Sequence, residues 1–154
     1  MGHIWNMGVL TMSFWEPCWA CRVIEGEVKA GVVTETSDVI VVINPFPLAN
    51  GHTLVMPKVH VSNVYELPER LAGPVLAMAS RIASATKAAY QADGITLRQN
   101  NDAASDQHLF HFHLHVIPRF NGDAEHFGRE PELVSQDQQW GDAEVLRRSL
   151  HHGV

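Results

Sequence analysis

The segment that decides the fold of this chain is FHFHLHVI at residues 110–117. Apolar side chains alternate there with three histidines. Because successive side chains of a β-strand point to opposite faces, the pattern predicts a strand with His111, His113 and His115 on one face and the apolar residues on the buried face. Thr, Lys or Ser would serve equally well on a solvent-facing side. Three imidazoles in register therefore indicate a functional site rather than packing.

The composition predicts one domain and excludes several classes of partner. A chain of 154 residues with 45% hydrophobic residues is large enough to fill a single core. A net charge of -6 argues against a broad electrostatic surface for nucleic acid or for anionic membrane. The chain has neither a secretory signal pattern nor a run of about 18 apolar residues, so we expect a cytoplasmic protein.

Outward from the histidine segment, β-branched and apolar runs predict further strands at residues 32–36, 39–44, 52–56 and 95–99. Between Pro68 and Tyr90, apolar residues recur at steps of four and three, which predicts one long helix that ends before Gly94. The short polar break between the first two strands is typical of a hairpin. The order of elements therefore predicts an α+β fold with an antiparallel sheet.

We predict three parts along the chain: an N-terminal arm at residues 1–13, a main domain at 14–122 and a C-terminal tail at 123–154. The arm is a loose extension or precedes an alternative start. The tail is polar, and its few apolar residues, Trp140, Val145 and Leu146, are its expected anchors.

An imidazole ring can bind a metal or attack phosphorus. Both roles need a neutral ring nitrogen near pH 7, with the tautomer held by a partner on the other nitrogen. Attack by histidine splits a displacement at phosphorus into two steps through a phosphoramidate intermediate. The sequence thus predicts either a metal site or covalent catalysis at the histidine segment.

Three separated blocks resemble the histidine triad (HIT) family. HFHLHVI at residues 111–117 matches the family's alternation of histidine and apolar residues. INPFPLANGHTLVMPKVH at 43–60 resembles its upstream signature, and RQNNDAASDQHLFHFHLHVIPR at 98–119 resembles its Gln- and Asn-containing loop before the triad. The resemblance spans roughly residues 18–119 and implies a HIT-like five-stranded antiparallel sheet with one long and one short helix, and a homodimer.

The resemblance also implies catalytic roles for three histidines. His113 takes the place of the nucleophile that attacks the α-phosphate of a nucleotide and is transiently nucleotidylated. His115 resembles the third triad member, which orients the site and contacts phosphate oxygens. His52 matches the upstream histidine that supports the triad from a neighbouring strand.

Substrate-binding residues follow from the same resemblance. Asn44 falls where the family places the residue that hydrogen-bonds the ribose hydroxyls. Asn100 and Gln107 match the polar positions of the phosphate loop, although a solvated loop is the alternative explanation for both.

The phosphate loop also departs from the family pattern. Asp102 and Asp106 occupy positions that are commonly glycine, and His108 replaces a serine or threonine. Two carboxylates near a phosphate site would repel an anion unless they point away from it.

The two cysteines predict a metal site. Cys18-x-x-Cys21 has the spacing of a zinc knuckle, and two further ligands would complete a tetrahedral site. A subset of the family resembles this chain in supplying those ligands from His60 and from the first triad histidine, His111. Four protein ligands imply a structural rather than a catalytic zinc. A thioredoxin-like redox pair and two buried free thiols are the alternatives.

The implied activity is that of a nucleotide hydrolase or nucleotidyl transferase acting on an AMP-containing conjugate. Pro118-Arg119 after the triad favours the dinucleoside polyphosphate type. A purine nucleoside phosphoramidase is the alternative enzyme. A low-turnover nucleotide-binding sensor and a zinc-dependent scaffold are alternatives of other classes.

Overall fold

The computed structural model of the chain describes residues 14–123 and 131–152. Its helices and strands follow one another as α1 (Trp19–Ile24), β1 (Val32–Glu35), β2 (Val39–Ile43), β3 (Thr53–Pro57), α2 (Glu69–Tyr90), β4 (Gly94–Arg98), β5 (Leu114–Arg119) and α3 (Gln136–His152). Two short 3₁₀ turns lie at Val64–Glu66 and Ala103–Ser105. The N-terminal arm that we predict at residues 1–13 lies outside the described residues.

The five strands form one sheet in the order β1-β2-β3-β5-β4, and every neighbouring pair is antiparallel. The α+β, HIT-like fold class predicted from the sequence is thus confirmed. β2 and β3 are buried throughout and form the centre of the sheet together with β5. β1 and β4 are its two edges.

The histidine strand is shorter than its sequence pattern predicts. β5 begins at Leu114, and the chain from Phe110 to His113 is not part of the sheet. The pairing of β3 with β5 stops at Leu114, and the Phe112 N–H instead donates to the Val61 carbonyl at 2.7 Å. Phe110 is 42% exposed rather than buried, whereas all three triad histidines are buried. A loop contact has therefore replaced the ladder over the first half of the predicted strand.

The structure has two long helices rather than one. α2 matches its predicted range. It ends at Tyr90 and is capped by Gln91, whose φ of 52° is left-handed, so Gly94 does not end the helix and begins β4 instead. α3 lies in the predicted tail. Its sequence has few apolar residues, so the helical periodicity is weak. The position of α3 is decided by its packing against α2 and β1. Leu146 is fully buried there, whereas Trp140 and Val145 are exposed and do not anchor the helix.

The sheet packs a hydrophobic layer on each face. α2 and α3 contribute to the larger core, which includes Val41, Val55 and Val116 from the strands. α1 contributes to the smaller core on the other side, where it meets Leu54 and Met56. Among residues 14–123 and 131–152, no helix is both long and apolar enough to span a membrane.

Candidate active site and metal centre

The nucleophile predicted from the sequence, His113, has its tautomer fixed by the backbone. Its Nδ1 lies 2.7 Å from the carbonyl oxygen of His111, two residues earlier. A carbonyl only accepts hydrogen bonds, so Nδ1 carries the proton and donates it. The lone pair of a neutral ring then lies on Nε2, for which no hydrogen-bond partner is found in the described part of the chain. This is the arrangement that a nucleophilic imidazole needs.

A second hydrogen-bonded chain orients His115. The backbone N–H of Leu48 donates to Nδ1 of His52 at 3.0 Å, so the proton of His52 lies on Nε2. His52 Nε2 in turn lies 2.9 Å from Nδ1 of His115 and donates to it. The proton of His115 must therefore lie on Nε2. The two rings differ in role as a result, since His113 presents a lone pair and His115 presents an N–H donor.

Asn44 lies directly beside this pair. Its Oδ1 accepts the N–H of Phe46 at 3.0 Å, which fixes the orientation of the amide. Its Nδ2 is 3.3 Å from His52 Nε2, but both nitrogens carry protons in the arrangement above. We therefore read the shorter contact between His52 and His115 as the hydrogen bond. The Asn44 NH₂ group remains available as a donor.

Burial favours the neutral form of the His52, His113 and His115 imidazoles. It lowers the pKa of His52 to about 3, with the charges of Arg98 and His113 adding to the effect. It also lowers the pKa of His115 well below its usual value, with help from His113 and His52. The pKa of His113 is lowered mainly by burial, against the opposing effect of its hydrogen bond to His111. Neutral rings can act as nucleophile and donor at pH 7.

The turn before His52 is held in place by both long helices. Gly51 has a φ of +85°, and a Cβ there would meet Cε2 of Tyr90 from α2 at 2.4 Å. The Tyr90 hydroxyl donates to Asp142 Oδ1 of α3 at 2.8 Å. Burial, followed by this hydrogen bond, raises the pKa of Tyr90, so the hydroxyl stays protonated. The C-terminal helix thus supports the turn before His52, a contact that the sequence did not indicate.

Gln107 organises the loop that precedes the triad. Its side chain is buried, with 3% exposed. Its Nε2 donates to the Ser62 and Leu109 carbonyls at 2.6 and 3.1 Å, and its Oε1 accepts the Asp102 N–H at 2.7 Å. Asn100 Nδ2 donates to the Ser105 carbonyl. The Gln107 amide is therefore fully engaged within the loop, and it positions the loop's backbone.

The two aspartates at positions that are commonly glycine in the family have left-handed backbones. Asp102 has φ 68° and ψ 162°, and Asp106 has φ 63° and ψ 32°. Aspartate tolerates the second conformation, but the first lies in a region that is favourable essentially for glycine alone. The departure from the family pattern at Asp102 therefore strains the loop.

We expect Asp102→Gly to stabilise the protein. Removing Cβ relieves about 1–3 kcal/mol of strain, partly offset by the greater freedom of glycine in the unfolded chain. The net gain is about 1 kcal/mol, or an increase in Tm of about 2–4 °C for a chain of this size. Thermal unfolding followed by circular dichroism measures it. Asp102→Ala is the control, because it removes the carboxylate but keeps Cβ. Equal Tm shifts in the two variants would contradict the strain argument.

The four predicted metal ligands converge at one point. Within the described residues, donor atoms of Cys18, Cys21, His60 and His111 all lie within 4.8 Å of one another. Nδ1 of His111 is 3.6 Å from Cys18 Sγ, 3.7 Å from Cys21 Sγ and 3.2 Å from Nδ1 of His60. Cys21 Sγ is 3.3 Å from the same His60 atom. Residues separated by up to 93 positions along the chain thus share one cluster.

These separations fit zinc. Tetrahedral coordination at ordinary zinc–sulfur and zinc–nitrogen lengths places sulfur and nitrogen ligands about 3.6 Å apart and two nitrogens about 3.3 Å apart. Burial, followed by interactions with Cys18, raises the pKa of Cys21 to about 12. The thiolate form that binds metals is therefore favoured only when a cation lies nearby. His111 Nε2 donates to the Pro57 carbonyl at 2.7 Å, which leaves Nδ1 unprotonated toward the cluster. The donor set and its orientation therefore suit a structural zinc ion.

Arg98 is a residue of the site that sequence reasoning missed. It ends β4 directly opposite His115 in the ladder with β5. Its charge contributes to lowering the pKa of His52, His113 and His115, after burial in each case. No pattern in the sequence could have identified it, because its place depends on the register between two strands.

Comparisons with known proteins show which family the chain belongs to. The sequence profile of the HIT domain family matches residues 25–122. Protein hit of Bacillus subtilis (strain 168) is 31% identical over 135 residues, covering 88% of this chain and 92% of that protein. Adenylylsulfatase HINT3 of Arabidopsis thaliana is 32% identical over 106 residues, covering 69% of this chain and 54% of that protein. The crystal structure of a Zn-bound histidine triad family protein from Mycobacterium smegmatis superposes with a TM-score of 0.74 at 32% identity, covering 85% of this chain and 91% of that one. The chain therefore belongs to the HIT domain family.

Proposed function

We propose that the protein is a nucleotide hydrolase or nucleotidyl transferase in which His113 attacks the α-phosphate of an AMP-containing conjugate. The observation that carries this proposal is the hydrogen bond from His113 Nδ1 to the His111 carbonyl, 2.7 Å long. It leaves the lone pair on Nε2 of a buried, neutral ring. A residue that only filled space or bound a nucleotide passively would not need this orientation.

The reaction has two displacements at phosphorus. In the first, the Nε2 lone pair of His113 forms a bond to the α-phosphorus, and the bond from phosphorus to the leaving group breaks with its electron pair. The ring then carries a positive charge, which its Nδ1–H shares with the His111 carbonyl through a stronger, charge-assisted hydrogen bond. In the second, water attacks phosphorus and loses a proton, and the nitrogen–phosphorus electron pair returns to Nε2. A transferase would use another acceptor in place of water.

His115 would stabilise the charge that builds up on the phosphate oxygens. The hydrogen bond from His52 Nε2 to its Nδ1, 2.9 Å long, leaves its Nε2–H as the outward donor. A donor held in place before the reaction does not have to reorganise as charge develops. His52 acts through His115, and is therefore a positioning residue.

A cleft whose lining includes Pro45, the residue after Asn44, suits the nucleoside. It has a volume of about 410 Å³. Phe14, Trp19 and Pro45 are apolar residues of its lining, Arg22 and Lys29 are its basic residues, and residues 133–136 also line it. Ligand pockets of this size typically combine apolar walls with a few polar groups. We propose that the base occupies this cleft and that the Asn44 amide binds the ribose hydroxyls. Asn100 and the loop backbone would bind phosphate.

The zinc ligands would hold the catalytic segment in place. His111 contributes Nδ1 to the cluster, and its own carbonyl accepts the His113 proton. A zinc ion bound there would cross-link the N-terminal knuckle to this segment. Four protein ligands would leave no coordination position open for substrate. Positioning of the nucleophile therefore depends on a ligand residue of the same cluster.

The test is a comparison of substrates with the purified protein. Diadenosine polyphosphates, adenosine 5′-phosphoramidate and adenylyl sulfate are incubated separately, and AMP release is followed by chromatography. We expect AMP from all three, with the dinucleoside polyphosphate cleaved fastest. Fastest cleavage of the phosphoramidate would retain the mechanism and replace the favoured substrate type with the phosphoramidase alternative. Binding of AMP without cleavage of any substrate would overturn the proposed activity in favour of the sensor.

Three further expectations remain predictions of the sequence. The family resemblance implies a homodimer. The charge of -6 argues against nucleic acid and anionic membrane as partners. A cytoplasmic location is the third expectation.

A further inference from the structure

Arg98 places a permanent positive charge on the triad side of the sheet. It faces His115 directly across the antiparallel pair formed by β4 and β5. Side chains directly opposite in such a pair lie on the same face, with Cβ atoms about 4.5–5.5 Å apart. His115 in turn contacts His52, and the ring centroids of His113 and His115 are 4.9 Å apart. The guanidinium therefore belongs to the same face of the sheet as the catalytic rings.

The protein leaves this charge without a direct partner. Among residues 14–123 and 131–152, no carboxylate forms an ion pair with Arg98 and no group accepts a hydrogen bond from its guanidinium. The side chain is exposed to solvent. Arg119, on the neighbouring strand, instead has both a 2.9 Å and a 2.8 Å hydrogen bond to Asp123. Arg98 is thus available to a ligand in a way that Arg119 is not.

The groups around Arg98 define what it can bind. A guanidinium is always charged, so an anion that enters the site meets a fixed positive charge at Arg98. The Asp106 carboxylate acts electrostatically on Arg98 from the loop, at a distance too long for an ion pair. It would weaken the attraction for an anion. A guanidinium binds phosphate through two parallel N–H donors, which gives geometric specificity as well as charge.

We propose that Arg98 binds the anionic group attached to the α-phosphate, and so favours substrates whose leaving group is a phosphate chain over those whose leaving group is an amine. This inference rests on the proposed function for its catalytic consequence. When the bond to the α-phosphorus breaks, a phosphate leaving group takes the electron pair as negative charge, which a fixed cation stabilises. An amine leaving group takes up a proton as its bond to phosphorus breaks and departs as a neutral molecule. The same cation therefore stabilises it little.

The test uses Arg98→Gln with Arg81→Gln as its matched control. Arg81 is an exposed residue of α2, so its substitution changes the net charge equally. We expect Arg98→Gln to lower kcat/KM for diadenosine triphosphate about 10- to 100-fold, the effect of losing hydrogen bonds to a charged group. In the same variant, kcat/KM for adenosine 5′-phosphoramidate should fall less than about threefold. Equal losses for both substrates, or no loss for either, would overturn the proposal.

A binding measurement separates this inference from the proposed function. ADP carries a β-phosphate that AMP lacks, so the ratio of their affinities, measured by calorimetry, tests Arg98 without any turnover. We expect wild type and Arg81→Gln to prefer ADP, and Arg98→Gln to lose most of that preference. A protein that cleaves no substrate but shows this loss would refute the proposed activity and keep the role of Arg98. An unchanged ratio in Arg98→Gln would refute the role of Arg98 alone.

Asp106→Asn supplies a variant with the opposite expected effect. Asparagine tolerates the left-handed backbone at this position, so the loop should keep its shape. Removing the carboxylate should strengthen ADP binding about two- to fivefold at low salt, and less at high salt because mobile ions screen the interaction. Weaker ADP binding in this variant would contradict the proposed opposition between Asp106 and Arg98.

Discussion

His113→Ala is expected to lower kcat by about 10³- to 10⁶-fold, the range seen when a covalent nucleophile is removed. The reason is that no other described group presents a neutral, correctly oriented lone pair beside the His115 donor. AMP affinity should change little, because the proposed AMP contacts come from the cleft, Asn44 and the loop rather than from the nucleophile. AMP release and calorimetric AMP binding measure the two effects separately.

A shape-matched variant controls for damage to the site. His113→Asn keeps an N–H donor that can reach the His111 carbonyl, yet it has no nucleophilic lone pair. We expect it to be as inactive as His113→Ala and to unfold at a temperature closer to that of wild type. After rapid acid-free quenching with substrate, intact mass spectrometry should find one added adenylyl group on wild type and none on either variant. Substantial turnover by either variant would exclude His113 as the nucleophile.

Loss of zinc is expected to destabilise the fold strongly. A ligand present at about 1,000 times its Kd stabilises the folded state by about 4 kcal/mol, and each kcal/mol shifts Tm by about 2–4 °C in a domain of this size. Cys21→Ala, or treatment with a strong chelator, should therefore lower Tm by about 8–16 °C. Metal analysis should find about one zinc per chain in wild type and far less in the variant.

The control for the zinc experiment is His108→Ala. His108 is an exposed histidine of the loop before the triad and does not belong to the four-ligand cluster. This variant should keep both its zinc and its Tm. Wild-type protein that contains no zinc after expression in zinc-supplemented medium, and whose Tm a chelator does not change, would disprove a structural metal here.

The zinc experiment also reports on the nucleophile. His111 links the two centres, since its ring belongs to the cluster and its carbonyl holds the Nδ1 proton of His113 at 2.7 Å. In the metal-depleted protein we expect ring ¹⁵N spectra of His113 to show a mixture of tautomers in place of the single Nδ1–H form. A single unchanged tautomer after zinc loss would show that the segment holds its shape without the metal.

The sequence determined most of the fold because its signals were local. The apolar stripe between residues 68 and 90 predicted α2, and β-branched runs predicted the central strands within one or two residues. α3 escaped prediction because its sequence is largely polar, so its packing against α2 and β1 decides its position. The predicted start of β5 was wrong for a related reason. Phe112 pairs with Val61, a contact that no alternation pattern encodes.

For the site, the sequence by itself determined which residue types are present and at what spacing. That was enough to predict roles for the triad and His52, and to predict the four cysteine and histidine side chains that converge in one cluster suited to zinc. The tertiary structure alone decided the chemistry of each ring. Protons on His113 and His115 are assigned by hydrogen bonds to the His111 carbonyl and to His52, and the second of these joins residues 63 positions apart. Arg98 joins the site only through the β4–β5 register. Tautomers and cross-strand neighbours depend on which groups folding brings within about 3 Å, and no local pattern specifies those distances.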